Sequence, residues 1–509
     1  IPGFSAPCGG RGTCGKCVIQ VTSGTLSPLA EQERRLLDAA DIADNYRLAC
    51  CTTVTDDAAP VEIILPEVTG SVIQTSGKAV SRAFTPRFII QTIPFTRGTL
   101  ENQASDIQRI TATLQDQGLT VEDTAVHQKI LQKLSRIPQE SADLQILVEG
   151  GIIRDIRPSA TAFYGVAVDI GTTTVVIQLI DLADGSIAGT WSALNEQKRF
   201  GADVISRIQY SMEDYRHTVE LQRTIVHQLH TGIVTLMQEN DIEEEQVHSI
   251  TVAGNTTMLH MLIGCETAGI AAAPFIPVFT GKLAVSGYDL GLTALPLVTV
   301  ELLPSIAAYV GADITAGMSI TGLLETDTPA LLLDIGTNGE MALGYEGEIV
   351  CCSTAAGPAF EGANIRYGTG GVAGAIDSIQ LTGGKLSYSP IGGAPAVGIC
   401  GSAIIDAAAI LIESGAADYT GRMVSPGTPG FPWIREFEGQ PAMLIASEKD
   451  SLRNKPIFFT QNDLREVQLA KAALAGGILT LLAHRGLSVD DITRVYLAGG
   501  FGSYINPAS

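Results

Sequence analysis

The sequence predicts a multidomain chain: a small cysteine-rich domain first, a short α+β domain after it, and then two similar α/β domains filling the remainder. Three observations predict this. Three cysteines crowd into CGGRGTCGKC, as Cys8, Cys14 and Cys17. The stretch from about residue 69 to 160 has no cysteine and mixes strand-like with helix-like segments. From Tyr164 onward the chain is written twice, and each copy places Asp-Ile-Gly-Thr at the end of an apolar strand.

Composition sets the bounds. At 509 residues the chain exceeds one compact core, since domains run to roughly 100–200 residues. Apolar content of 45% with 17% charged residues fits a globular protein, and no apolar run reaches the roughly 18 residues of a membrane span. No membrane association is expected. A net charge of −22 excludes a nucleic-acid partner, because no basic patch exists to displace counterions from a phosphate backbone. Nine cysteines without a signal peptide point to a reducing, cytoplasmic setting, where clustered thiols bind metal more often than they form disulfides. The chain opens on Ile1 in mid-domain and stops at Ser509 just after a motif, so it reads as truncated at both ends.

The elements follow in order. Residues 1–68 hold the cysteine cluster and end in the strand-like VEIILPEV. Residues 69–160 carry a strand FIIQTIPF, helices around Asn102 to Gln117 and Val126 to Leu134, and a strand DLQILVEGG, which together read as a small α+β linker domain. Residues 161–509 form the duplicated pair, with halves at about 161–325 and 326–509. The first copy runs GVAVDIGTTT, VVIQLIDL, a turn and SIAGTWSALN; the second runs ALLLDIGTNG, EMALGYE, a turn and EIVCCST. Each later adds a long helix, a short acidic loop, a strand and a small-residue turn, VHSITVAGNTT in one and ITRVYLAGGFG in the other.

A strand that ends in a tight glycine turn leaves several backbone N–H groups aimed the same way, and phosphate is their natural guest. Gly171, Thr172, Thr173 and Thr174 form one such loop, and Gly336, Thr337 and Asn338 the other. Asp169 and Asp334, at the two strand ends, are candidates to hold Mg²⁺ through water. Gly499 and Gly500 let a flat ring approach the backbone and are expected to flank the adenosine. Their counterpart at Ala253 to Met258 carries Asn255 and faces the phosphates or closes the first domain. GTGGVAG at Gly368 to Gly374 reads as an ordinary loop, and GICGSAIIDAAAILI as a glycine turn entering an apolar helix.

These motifs resemble the actin, sugar kinase and Hsp70 superfamily of ATPases: DIGTTT its first phosphate motif, LLLDIGTNGE its second and VYLAGGFG its adenosine motif. The resemblance implies two ribonuclease-H-like domains closing over Mg-ATP. An acidic group, Asp334 or Glu340, is expected to position the hydrolytic water.

The cysteines supply the other half. A [2Fe–2S] cluster characteristically takes three thiolates from one glycine-rich loop and a fourth from far along the chain. The spacing C-x5-C-x2-C meets the first requirement, and Cys50 in YRLACC, which resembles the last ligand of ferredoxins, is the candidate fourth, with Cys51 second. Zinc is disfavoured because no second C-x2-C pair exists. A β-grasp-like ferredoxin domain is therefore expected at the N-terminus. Cys265, Cys351, Cys352 and Cys400 lack such spacing and read as small buried hydrophobes.

A one-electron carrier joined to an ATP site makes sense when the transfer is uphill. Each 100 mV against the electron costs about 2.3 kcal/mol, and a plant-type cluster sits near −400 mV. The order ferredoxin, linker, duplicated ATPase resembles the reductive activators of corrinoid-dependent methyltransferase proteins over the whole chain. That resemblance implies an ATP-hydrolysing iron–sulfur reductase that returns a partner's cobalt(II) corrinoid to cobalt(I), using electrons from a reduced ferredoxin or reductase. Whether two chains associate is open, with a homodimer one expectation. Two alternatives are an activator of a 2-hydroxyacyl-CoA dehydratase-like enzyme, which requires a cysteine pair between the ATPase halves, and an electron-transfer subunit of a larger reductase, which requires flavin or NAD motifs. The run STAAGPAFEG from Ser353 is read as a loop at the cleft edge, with Ser353 also considered as a hydroxyl within reach of a partner's cobalt.

Overall fold

A computed structural model describes residues 12, 15, 17–55, 60–65, 86–122, 128–137, 142–158, 161–201, 203–362, 364–502, 505, 506, 508 and 509. Cys8 and Cys14 lie outside these residues.

The first domain is a three-stranded antiparallel sheet of order β2-β1-β3, with β1 Val18–Ser23, β2 Tyr46–Leu48 and β3 Glu62–Ile64. Helices α1 (Glu31–Leu36) and α2 (Ala39–Ala43) link β1 to β2, and Cys17, Val18, Leu37 and Leu48 form a small core beside Cys50 and Cys51. The second domain is the antiparallel meander β4-β5-β6, formed by Phe88–Phe95, Ala142–Glu149 and Ile152–Arg157. Two helices, α3 (Asp106–Asp116) and α4 (Gln128–Arg136), bury Ile110, Leu114, Ile130 and Leu134 against it. The expected helix from Asn102 starts later, because Ser105 caps it: Gln108 N donates to Ser105 Oγ, and Gln108 Oε1 accepts from Ser105 N.

The first half of the duplicated region is a six-stranded sheet of order β11-β12-β10-β7-β8-β9. Its strands are β7 Tyr164–Ile170, β8 Thr174–Asp181, β9 Ile187–Leu194, β10 Val247–Gly254, β11 Leu283–Ser286 and β12 Thr299–Leu302. Alternation in β8 sends Val175, Ile177 and Leu179 into the core. They meet the stripe Leu221, Ile225, Leu229, Ile233 and Leu236 of the long helix α6 (Tyr215–Glu239), which follows α5 (Val204–Glu213). Helix α7 (Thr256–Ile263) leaves β10, the one-turn helices α8 (Ala268–Ala271) and α9 (Gly287–Leu290) lie in the connections, and α10 (Ala312–Thr321) leads to the second half.

The second half repeats the plan. Its sheet has the order β15-β14-β13-β22, from Glu348–Thr354, Gly339–Tyr345, Ala330–Ile335 and Arg494–Ala498. β13 pairs antiparallel with β14 and parallel with β22, as β7 does with β8 and β10. Duplication is therefore visible in topology as well as in motif. Between β15 and β22 the chain inserts two three-stranded sheets, β16 (Ala375–Thr382), β17 (Lys385–Pro390) and β18 (Gly398–Ile399), then β19 (Ile434–Phe437), β20 (Gln440–Ala446) and β21 (Ile457–Thr460). The apolar helix expected after Gly398 is α11 (Gly401–Glu413), and Gly368 to Gly374 lie in a loop. Helix α12 (Gln461–Arg485) is long and apolar enough by length and composition to cross a membrane, but Leu464, Val467, Ala470, Leu481 and Leu482 pack into the core of this half. The one-turn α13 (Gly499–Gly502) follows β22.

Polar contacts join the domains. Lys455 Nζ, in the loop before β21, reaches Asp38 Oδ2 (2.6 Å) and Asp41 Oδ1 (2.7 Å) of the first domain, and Arg453 lies over the Tyr46 ring. Arg87 of the second domain pairs with Glu301 on β12.

The expectation that the four remaining cysteines are buried holds fully for Cys400 alone. Cys265, Cys351 and Cys352 are half-buried. Cys351 and Cys352 sit on opposite faces of the edge strand β15, against different cores.

Candidate functional site

The two strand-end turns follow strands that hold corresponding places in the two halves. At the first, every carbonyl is engaged on the protein side. Gly171 O accepts from Asn195 Nδ2 (2.8 Å), Thr172 O from Arg207 Nη2 (2.5 Å), Thr173 O from Asn195 N (2.9 Å) and Thr174 O from Gly171 N (2.9 Å). Asn255, the cap of α7, donates from Nδ2 to Thr172 Oγ1 (3.0 Å). Carbonyls turned inward leave the amides of Thr172 and Thr173 for an anion. The second turn is held differently: Gly336 N donates to Asn338 O (2.9 Å), and Thr337 Oγ1 donates to Glu361 Oε2 (2.6 Å).

Acid groups gather at the strand ends of both halves. Asp334 and Glu340 are directly opposed in the β13–β14 ladder, and Asp169 occupies the matching place on β7. Asp313, the second residue of α10, joins them. Burial, with Asp313 nearby, pushes Asp169 up to about 7; burial, with Asp313 and Asp169, does the same to Asp334. Burial and the charges of Asp334 and Asp313 raise Glu340 to about 8. Burial likewise raises Asp313. Among the described residues, no three acid, histidine or cysteine side chains converge closely enough to ligate a bare ion.

Gly499 makes room for Asp334. Its φ is +82°, and a Cβ there would stand 2.4 Å from Asp334 Oδ1. Gly500 is exposed, with nothing within 4 Å of an added Cβ. Ser353 lies within β15 rather than after it, paired with Glu340, and its Oγ is 3.4 Å from Glu340 Oε1. A separate cavity of about 590 Å³, lined by Thr321, Glu325, Thr328, Arg494 and Tyr496, opens where β13 and β22 begin, at the other end of the strands.

At the cysteine-rich end, Cys17 and Cys50 are brought together, with sulfurs 3.2 Å apart, and Cys51 Sγ lies 3.7 Å from Cys50 Sγ. Gly12, at φ +67°, would carry a Cβ only 3.0 Å from Cys51 Sγ. Two thiols this close fit a shared metal centre. Behind them Glu33 is fully buried. It accepts from Arg47 Nε and Nη2 (both 2.9 Å), Leu48 N (2.9 Å) and Ala30 N (2.9 Å). Burial alone would raise its carboxyl, but Arg47 and the two backbone donors hold it below the ordinary range. That network fixes the strand from which Cys50 emerges.

Asp313, Asn195, Arg207, Glu361 and Glu33 were not singled out from the sequence. Asp313 had a weak signal, since Gly-Ala-Asp opens helix α10. Arg207 had a weaker one: an arginine beside Ile208 on an apolar helix face.

Family comparisons agree with this arrangement. Residues 2–55 match the 2Fe-2S iron-sulfur cluster binding domain, residues 164–326 the RACo middle region, and residues 328–509 the C-terminal domain of RACo, the ASKHA domain. A solved reductive activator for corrinoid, iron-sulfur protein is 33% identical, covers 99% of this chain and 82% of its own, and superposes with a TM-score of 0.71. The chain belongs to the RACo family. Its fold is that of the family: a ferredoxin-type domain, a middle region over residues 164–326 and an ASKHA C-terminal domain over 328–509. The corrinoid activation enzyme RamQ of Eubacterium limosum is 34% identical over 71% of this chain and 62% of its own. The [Co(II) methylated amine-specific corrinoid protein] reductase of Methanosarcina barkeri is 25% identical over 67% and 64%. The chain thus spans just under two thirds of the length of these two relatives.

Proposed function

We propose that the chain is an ATP-hydrolysing iron–sulfur reductase that reactivates a corrinoid protein, returning its cobalt(II) to cobalt(I) by one electron. The observation that carries this reading is the joining, in one chain, of the Cys17–Cys50 thiol pair and two phosphate turns with four acid groups. The names of the relatives supply the class of acceptor. Reduced ferredoxin or a reductase is the proposed electron source.

In this reading Cys8, Cys14, Cys17 and Cys50 hold a [2Fe–2S] cluster, which supplies the single electron. Glu33 and Arg47 keep the Leu48–Cys51 segment in place. The amides of Thr172 and Thr173 receive phosphate oxygens, and Thr337 and Asn338 receive them from the other half. Asp169, Asp313 and Asp334 hold magnesium through its own water shell, which suits side chains that do not converge on a bare ion. Glu340, opposite Asp334 in the β13–β14 ladder, would orient the attacking water and, once ionised, accept its proton. Gly499 and Gly500 flank the adenosine. Lys455 ties the first domain to the second half, so closure of the cleft has a mechanical path to the cysteine-rich end.

Anaerobic reconstitution followed by electron paramagnetic resonance tests the donor end. The reduced wild type should show a [2Fe–2S] signal that Cys14→Ala and Cys50→Ala lose and Asp334→Asn retains. A protein that takes up zinc and no iron would contradict the reading.

A further inference from the structure

In the first phosphate turn, two peptide units are held from behind by their carbonyl ends. Gly171 O accepts from Asn195 Nδ2 (2.8 Å), and Thr172 O accepts from Arg207 Nη2 (2.5 Å). These carbonyls share their peptide units with the N–H groups of Thr172 and Thr173, which bond to no protein group among the described residues. A donor at the carbonyl end draws electron density across the planar, conjugated unit and makes its N–H a stronger donor, as happens along any chain of hydrogen bonds. The two amides left for an anion are therefore the two that are polarised.

The two donors differ in kind. Asn195 is neutral, whereas Arg207 is a fully buried guanidinium. It bonds to Thr172 O, Gly201 O (2.9 Å) and Met258 Sδ (3.3 Å), so none of its partners among the described residues is a carboxylate. Asp203 favours its charge, but Asp203 Oδ1 is engaged by Ser206 N (2.7 Å) as the cap of α5. Burial lowers the guanidinium only to about 10, which leaves it charged at neutral pH. A buried charge without a paired acid is costly, and an anion seated on the amides of the turn would offset that cost.

Helix α7 completes the backing. Met258 Sδ lies 3.7 Å from Asn195 Nδ2 as well, and Asn255, which accepts from Met258 N (3.0 Å), donates to Thr172 Oγ1 (3.0 Å). A thioether thus stands against Nη1 where a carboxylate would neutralise the guanidinium. The charge stays directed at the turn.

We propose that Arg207 is a positioning residue for the nucleotide, its charge carried through the Thr172–Thr173 peptide to the amide that meets a phosphate oxygen, with Asn195 acting likewise, without charge, through the Gly171–Thr172 peptide. The proposal rests on reading the first turn as part of an ATP site.

Calorimetric titration of the full chain with Mg-ATP tests it. A charge-assisted bond is worth roughly twice a neutral one, so Arg207→Gln, which keeps a donor and loses the charge, should weaken Mg-ATP by about 5- to 10-fold. Arg207→Lys keeps the charge and should lose less. Wild-type affinity in Arg207→Gln, or equal losses in the two variants, would show that shape rather than charge matters and would overturn the proposal. Should neither variant fold, Met258→Glu against Met258→Gln reads the same charge, because the carboxylate neutralises Nη1 while Thr172 O keeps its donor. Mg-ATP should then bind about 5- to 10-fold more weakly to the glutamate variant, and equal affinities would overturn the proposal. If the wild type does not bind Mg-ATP, the ATP reading fails and this inference with it.

Discussion

Gly499→Ala is the sharpest perturbation of the acid groups. The added methyl would lie 2.4 Å from Asp334 Oδ1 and 3.0 Å from Ile335 O, where ordinary contacts begin at 3.4 Å. Asp334 or the turn must therefore retreat by about 1 Å, and a displacement of that size at a reacting centre costs roughly 100-fold in rate. A left-handed φ adds about 1–2 kcal/mol of strain, so the nucleotide-free protein should melt a few degrees lower. Ligand at 100 times its Kd stabilises by about 2.7 kcal/mol, and a 30-fold weaker site leaves only about 0.9 kcal/mol of that. The assay is thermal unfolding with and without Mg-ATP, alongside phosphate release. Gly500→Ala is the comparison: open space surrounds its Cβ, so its nucleotide-free Tm should match wild type, and any effect should appear only with ATP. The reasoning fails if Gly499→Ala melts, shifts with Mg-ATP and hydrolyses ATP as wild type does.

Other outcomes follow from the same structure. Glu33→Gln leaves Arg47 without its buried partner, and breaking such a pair costs about 3–5 kcal/mol; followed by visible absorbance on heating, the reconstituted iron–sulfur centre should be lost well below the wild-type temperature. The raised carboxyls give stability that is complete below about pH 4, the unfolded value, and is lost as pH rises through the folded values near 7 for Asp169 and Asp334 and 8 for Glu340. The nucleotide-free Tm should therefore fall between about pH 4 and 8 and level off above that, and fall less in Asp334→Asn; parallel curves for the two proteins would refute the assignment. Lys455→Ala removes exposed pairs worth under about 1 kcal/mol, so it should leave Tm unchanged while increasing proteolytic access between the first domain and the ATPase pair.

The features legible in the sequence are those written locally. A buried strand ending in Asp-Ile-Gly-Thr needs only adjacent residues to declare itself, and its repetition exposed the duplicated sheets, whose topology matches from β7 to β13. Clustered cysteines likewise marked the N-terminal domain, although Cys8 and Cys14 lie outside the described residues and Cys17 and Cys50 carry the geometric support. What stayed hidden depends on long-range pairing. Glu33 meets Arg47 only once β2 folds beside α1, and Arg207 reaches Thr172 O only once α5 packs behind the first turn. The two small sheets between β15 and α12 also went unread, because their short strands sit among turns with no repeated motif. The strand read as EIVCCST is β15, each of its residues paired on β14, so the run from Ser353 read as a cleft-edge loop begins inside the strand and leaves it only after Thr354.

The most direct test mixes the reduced, reconstituted protein anaerobically with a cobalt(II) corrinoid protein of the same organism and follows cobalt(I) absorbance. The account predicts that cobalt(I) forms on addition of Mg-ATP, that it does not form with ADP, and that Asp334→Asn abolishes the increase. Cobalt(I) formed equally with and without ATP, or no ATP-dependent increase with any corrinoid protein of that organism, would contradict it.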